Sequence, residues 1–287
     1  MPDDTLGTKD AEKAYLSRSG SEPWERAKPF APPGHNMVGE SLSLIHDFAV
    51  AIGCLAPVPG ERVLDLAAGS CWVSEWLRRL NIDTVSIDIA LDMLRLGRDR
   101  MGVNPGLVAG DLEHLPFRDA SFDKAVCLNA FHHLPDTARG LAEIRRVLKP
   151  GGKVAFSEPG RGHADADHST RATGEFGVTE QEIVATDFMR LCAEAGFADV
   201  RIKPVAYAIP WFDLDGDGWA AWGRAAQSKR PLRALSKMWL AFLEIFGLGK
   251  TGPLAEAALV RDLARLLRNA MEDHPIIVAQ TSGSDQM

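Results

Sequence analysis

With 39 acidic against 32 basic side chains, this 287-residue chain has a formal net charge of -7. That balance argues against a surface built for sequence-independent grip on nucleic acid or anionic membrane, and leaves small or locally selected substrates. The length allows one enlarged α/β domain with an appendage, and the four cysteines Cys54, Cys71, Cys127 and Cys192 show no metal-ligand spacing, as suits a reducing cytoplasm.

Residues 1–40 are polar and proline-rich and read as an irregular arm, disordered over the first twenty or so, with the stretch from Trp24 to Asn36 packing somewhere. Met1-Pro2-Asp3-Asp4 is followed by no apolar stretch, so neither a secretory signal nor an anchor is expected. No apolar run reaches the roughly 18 residues of a membrane span. Residues 41–50 place apolar side chains at helical spacing. From Arg62 onward, short β-branched runs alternate with helical patterns, the signature of a parallel sheet covered on both faces. Strands are expected near 62–66, 84–89, 106–110, 123–129 and 153–157, with helices near 71–80, 91–101, 137–148 and 179–195. Leu148-Lys149-Pro150-Gly151-Gly152 reads as a helix stop and turn. Ala198 to Val205 alternates as an edge strand does, and Pro204 suits an edge. Pro275 to Gln280 looks like a last buried strand, after a helical insert over 208–273. Inside that insert, Asp213-Leu214-Asp215-Gly216-Asp217-Gly218 meets only the first half of a calcium-loop pattern, because Arg224 stands where a bidentate Glu is needed.

The turn Asp65-Leu66-Ala67-Ala68-Gly69-Ser70-Cys71 ends the first strand in small residues that let a ligand approach the backbone at the N-terminus of the next helix. Asp88 closes the second strand about 20 residues beyond Gly69, the place of a ribose-binding carboxylate. Of a Gly-x-Gly-x-Gly turn only Gly69 remains, with Ala67 and Cys71 in the outer positions. A dinucleotide needs close approach of the backbone to its pyrophosphate, so the missing glycines count against a nicotinamide enzyme.

Further along stand Gly110-Asp111-Leu112-Glu113-His114-Leu115-Pro116-Phe117, Phe122-Asp123, Leu128-Asn129-Ala130-Phe131-His132-His133-Leu134 and Leu148-Lys149-Pro150-Gly151-Gly152. With Asp65, the turn and Asp88, this ordered set resembles the class I S-adenosylmethionine-dependent methyltransferases over roughly residues 60–207. The resemblance implies a Rossmann-like α/β fold: a seven-stranded sheet in the order 3-2-1-4-5-7-6 with the last strand antiparallel, helices on both faces and the helical insert before the last strand. It divides the chain into the arm (1–40), a cofactor-binding domain (41–207 and 274–281) and the insert or cap (208–273). It implies S-adenosyl-L-methionine as cofactor, with Asp65, Ala67 and Gly69 at the methionyl end, Asp88 on the ribose, and Asp111 with the Leu112 N–H on the adenine edge. Ile89, Met93 and Asn129 complete the implied binding set.

A hydroxyl acceptor needs a base, and His titrates near the working pH. His132 and His133 fall just past the fourth strand and His163 past the fifth, at the sheet edge where α/β folds bind ligands, which makes all three candidate bases. For His132 and His133 the plainer alternative is helix capping or packing. His163 to His168 forms a His-x-Asp-x-Asp-His cluster that suits a divalent cation or, more simply, a solvated loop; no metal is assigned. Nine basic against three acidic residues between Arg224 and Arg268, beside a Trp- and Phe-rich segment, suggest an amphiphilic or anionic acceptor. The expected function is methyl transfer, by O-methylation of a small or glycan-type acceptor, lipid- or phosphate-linked included. A non-catalytic cofactor-binding protein of the same fold, or a small natural-product methyltransferase, stays open. The acidic balance and the absence of an Asn/Asp-Pro-Pro-Tyr motif disfavour nucleic acid, and no stable membrane insertion is expected.

Overall fold

The computed structural model describes residues 4–102, 106–203 and 271–283, with isolated positions between 261 and 269. The chain divides into two units: one of residues 1–203 with 271–287, which carries everything that follows, and one of residues 204–270. Most of the 208–273 insert, including the 213–218 acidic run, lies outside the described residues.

Seven strands form one sheet: β1 (Arg62–Leu66), β2 (Asp83–Asp88), β3 (Leu107–Ala109), β4 (Phe122–Leu128), β5 (Leu148–Ser157), β6 (Phe197–Lys203) and β7 (Ile276–Thr281). Their order is β3-β2-β1-β4-β5-β7-β6. β7 runs antiparallel to both neighbours, and β6 lies at the edge as its alternation indicates. The parallel strands bury both faces, which explains their near-continuous apolar runs. Leu64, Leu66, Ala125, Cys127, Val154 and Phe156 point into one core layer. Val63, Val126 and Ala155 point into the other. The first layer is sealed by Phe131, Phe156 and Phe188, packed edge to face at centroid distances of 5.0 to 5.5 Å.

Helix α3 (Val38–Leu55) covers the second layer through Phe48, Ala51, Ile52 and Leu55. Among the described residues it alone is long and apolar enough to cross a membrane, by length and composition. Its polar positions, Asp47 among them, break the run that a sequence scan looks for. Helices α4 (Trp72–Arg79), α5 (Leu91–Met101) and α6 (Thr137–Val147) stand where the periodicity puts them. The Asp136 carboxylate caps α6 by accepting from the Arg139 N–H at 2.9 Å.

Four features depart from the sequence reading. The arm expected to be irregular holds two helices, α1 (Asp4–Ser19) and α2 (Glu22–Ala27). Helix α1 has no amphipathic stripe. It is fixed by remote partners: Ala11 packs on Ala172 and Val178, Tyr15 meets Phe176 edge to face at 5.4 Å, and Arg18 donates to the Glu175 and Phe176 carbonyls. The segment after His163 forms a further helix, α7 (Asp167–Phe176), rather than a loop. Residues 179–184 are non-helical, so α8 spans only Ala185–Glu194. Finally β5 begins at Leu148, where a turn is expected, because Leu148 pairs with Phe122 and the Thr281 hydroxyl donates to the Lys149 carbonyl.

Candidate active site

In the order β3-β2-β1-β4-β5 the chain winds outward from β1 in one direction and from β4 in the other, so the strand order switches between these two parallel strands, and open α/β sheets bind ligands at the carboxyl ends there. A cavity of about 220 Å³ occupies that position. The turn after β1 forms one wall. Ala67, Gly69 and Cys71 adopt φ of 47, 51 and 60°, so all three positions of the glycine pattern keep the left-handed backbone although only one is glycine. The Cys71 side chain turns inward, and Gly97 of α5 leaves the space it fills.

Asp88 ends β2 with its carboxylate on the cavity, accepting from the Gly69 N–H at 2.7 Å and the Ala90 N–H at 2.8 Å. Burial raises its pKa against the help of these two donors. Asp65 does not line the cavity. Its carboxylate accepts from the Ser74 hydroxyl at 2.7 Å and the Ser74 N–H at 3.2 Å, and burial pushes its pKa up to about 7. It ties β1 to the first turn of α4, so its bearing on a ligand is through the turn it holds.

At the far end Gly110, Asp111 and Leu112 line the cavity, with Ile89 and Met93 supplying apolar wall. Asp111 accepts from Lys9 Nζ at 2.7 Å and the Glu113 N–H at 2.9 Å; burial opposes these donors, yet they hold its pKa below the usual range. Lys9 also contacts Glu113. Asn129, at φ 52°, lines the opposite side and donates to Asp47 at 3.3 Å.

Of the three candidate bases only His133 lines the cavity. Its Nδ1 lies 2.5 Å from the Thr179 carbonyl oxygen, which can only accept, so Nδ1 carries the proton and Nε2 is left as the acceptor. Burial, and then His132 beside it, push its pKa below the ordinary value, while Glu12 and Glu180 pull it up. His132 sits behind it, with Nδ1 2.8 Å from Glu158. His163 pairs with Glu180 at 2.7 Å. Both stay off the cavity wall. Among the described residues, His132, His133 and Glu180 bring one donor atom each within 4.8 Å of one another, and Asp111, Glu113 and His114 do the same. The second group already carries the Lys9 ammonium.

Lys9, Glu12 and Tyr15 of α1, Glu25 of α2 and Lys28 at its C-terminal end also line the cavity, and the sequence reading missed all five. Lys9, Glu12 and Tyr15 recur every three residues on one helix face, the only local signal of their common target. Glu25 is buried, paired with Lys28 at 2.6 Å and receiving the Ser70 hydroxyl at 3.3 Å. Five carboxylates thus face the cavity, Glu12, Glu25, Asp88, Asp111 and Glu113, and both of its lysines are already engaged by three of them. Such a lining attracts a cation and repels phosphate.

The methyltransferase domain family matches residues 64–156. A demethylmenaquinone methyltransferase of Corynebacterium kroppenstedtii is 45% identical over 104 residues, covering 36% of this chain and 44% of that protein. One of Corynebacterium glutamicum is 36% identical over 149 residues, 52% of this chain and 57% of that protein. The chain thus spans about half, or less, of the length of these curated relatives. Among solved structures, the [4+2]-cyclase SpnF superposes with a TM-score of 0.60 at 16% identity, over 96% of this chain and 97% of that one. Phosphoethanolamine N-methyltransferase 2 of Haemonchus contortus, in complex with S-adenosyl-L-methionine, superposes with a TM-score of 0.56 at 17% identity, over 95% of this chain and 60% of that one. At these identities the structures are alike in fold.

Proposed function

We propose that this chain, which carries a class I S-adenosylmethionine-dependent methyltransferase domain, transfers a methyl group to a small-molecule acceptor that gives up a proton, with His133 as general base. The observation that carries the reading is the placement of a bare imidazole nitrogen on the same cavity as Asp88 and Asp111. S-adenosylmethionine supplies, when bound, an electrophilic methyl group on a sulfonium cation.

The acidic lining fits that cationic, phosphate-free ligand. Asp88 has lone pairs left for ribose hydroxyls after its two backbone donors, since an ionised carboxylate offers about four acceptor sites. Asp111 and the Leu112 N–H would hold the adenine edge, Ile89 and Met93 its faces, and the Ala67–Gly69 turn the methionyl end. Asp65 acts on this set by fixing the turn. His133 Nε2 would take the acceptor's proton. His132 and His163, set behind it, would support that proton transfer rather than touch the acceptor.

The names of the relatives favour a quinol-type ring over a glycan. For transfer to oxygen the hydroxyl gives up its proton to the base; for transfer to carbon the same deprotonation activates the ring, after which the C–H proton of the methylated carbon leaves and the oxygen takes a proton back, so one net proton is lost in either case and one base serves both. The glycan reading rested on the 208–273 stretch, most of which lies outside the described residues. Because a cyclase shares the fold, methyl transfer needs its own test. Calorimetry with S-adenosylhomocysteine, followed by transfer assays on hydroquinones, phenols and glycans, should give binding and turnover on a hydroxylated ring. Binding without turnover on any acceptor would favour a non-transferring protein of this fold. No binding would reject the reading.

A further inference from the structure

Behind His133 lies a row of imidazoles that the cofactor cavity does not use. Ring centroids are 4.0 Å apart from His133 to His132, 4.9 Å from His132 to His163, and 5.2 Å from His163 to His168. Two carboxylates hold the middle of the row. Glu158, at the end of β5, accepts from the Ala130, Phe131 and His132 N–H groups at 3.0 to 3.2 Å and from His132 Nδ1 at 2.8 Å, so its capacity is spent on the turn itself. Glu180 is placed differently. Its Oε2 lies 2.7 Å from His163 Nε2 and 3.6 Å from His132 Nε2, its side chain is 11% exposed, and it accepts from no backbone donor among the described residues.

We propose that Glu180 is the positioning residue for the base: its carboxylate is the counterion that stabilises the imidazolium formed at His133 and, through His163, orders the histidine row behind it. This rests on the reading of His133 as base. In the step concerned, the acceptor's proton moves to His133 Nε2 and its bonding pair stays on the acceptor, so the half-buried ring gains one positive charge. A charge created there needs a partner already in position. Three groups of opposite sign face His133: Glu12 of α1, with Oε1 3.6 Å from Nδ1, Glu180, and Asp88 of β2. His132 is the neighbour of like sign. Glu12 is the weaker partner, since burial raises its pKa and it already accepts the Thr179 N–H. Asp88 already accepts two backbone N–H groups and faces the ribose position, and burial raises its pKa. The carboxyl of Glu180 is held below its usual range by the histidines, despite burial, and stays charged.

The test compares wild type with Glu180→Gln in the full chain, by NMR titration of the imidazole carbons and by the pH profile of turnover. Losing an opposite charge a few ångströms away lowers a histidine pKa by about 1 unit or more. In Glu180→Gln, the imidazole titrations and the acidic limb of kcat should therefore move down by about one pH unit, and the kcat plateau should fall by up to about tenfold because the base is weaker. Affinity for S-adenosylhomocysteine should stay within about twofold, and Glu180→Asp should recover part of the shift. If Glu180→Gln does not fold, Glu180→Asp carries the test, with a smaller downward shift expected. Imidazole titrations that do not move, or a fall in kcat that follows lost thermal stability with no change of profile, would overturn the proposal. Should wild type turn over no acceptor, the methyl-transfer reading fails separately, and the titrations still decide the role of Glu180.

Discussion

Asp88→Asn separates the two tasks assigned to one carboxylate. In wild type, one oxygen accepts the Gly69 N–H at 2.7 Å and the other the Ala90 N–H at 2.8 Å. Asparagine keeps one acceptor and turns the other into a donor, so a buried N–H loses its partner at about 1–3 kcal/mol. Against that, burial already raises the pKa of Asp88, so removing the charge relieves a desolvation penalty. The two effects oppose and leave a net loss of about 1 kcal/mol or less, a fall in Tm of about 4 °C at most for a unit of this size. Ribose hydroxyls gain nothing in exchange. A hydrogen bond to a charged acceptor contributes roughly 1.5–3 kcal/mol, and losing about 2 kcal/mol weakens binding about 30-fold. Calorimetry with S-adenosylhomocysteine should thus show Kd rising by about 30-fold while Tm falls by about 4 °C at most. An unchanged Kd in a variant of wild-type stability would refute the ribose role, and a collapse of Tm would show that the turn contacts dominate.

Gly97→Ala should destabilise the first unit by about 1–3 kcal/mol, since a Cβ there would overlap Cys71 Sγ, itself buried; thermal denaturation checks it, and a wild-type Tm would show that Cys71 can move. Asp47 is buried and, despite that burial, hydrogen bonds from His274 at 3.1 Å and Asn129 at 3.3 Å, with the His46 ring 3.9 Å away, hold its pKa at about 2 rather than 3.8. A depressed folded pKa adds stability above the unfolded value and loses it as pH falls through the folded one. Asp47→Asn should therefore flatten the loss of stability between about pH 4 and pH 2 by about 2 kcal/mol, read from urea melts at each pH. Burial raises the thiol pKa of Cys71, Cys127 and Cys192, the last to about 12, whereas Cys54 is half-buried. A thiol-specific reagent at neutral pH should label Cys54 first and the other three only on unfolding.

The strands were legible because burial on both faces leaves its mark in each strand's own residues, as in Val63-Leu64-Asp65-Leu66. Asp88 and Asp111 were legible for a similar reason: each stands at a fixed place after a strand and lines the cavity from there. The arm was not, because its helices are held by groups far off in the chain. Lys9 finds Asp111 102 residues on, Arg18 finds the Phe176 carbonyl 158 residues on, and Glu25 is buried through Ser70, 45 residues on. No local window contains such partners. Glu180 was missed for the same reason: it reaches His163 and His132 from beyond α7, where a loop was expected.

The turn after β1 shows why a glycine count misleads where a backbone count does not. Ala67 and Cys71 hold left-handed φ of 47 and 60°, at a penalty of roughly 1–2 kcal/mol each for an L-residue. Glycine would avoid that penalty, so something offsets it. At Cys71 the offset is visible: its side chain is fully buried and fills the space left by Gly97 of α5, so the missing glycine of the turn has a counterpart in the facing helix. An inward side chain at position 71 locks the turn to α5, and the same turn is held from β2 by Asp88 through the Gly69 N–H. The turn is thus built for rigidity rather than for closest backbone approach. A pyrophosphate needs that approach and would meet Glu25 and Asp88 at the same wall, whereas a sulfonium ligand needs neither the approach nor a positive field.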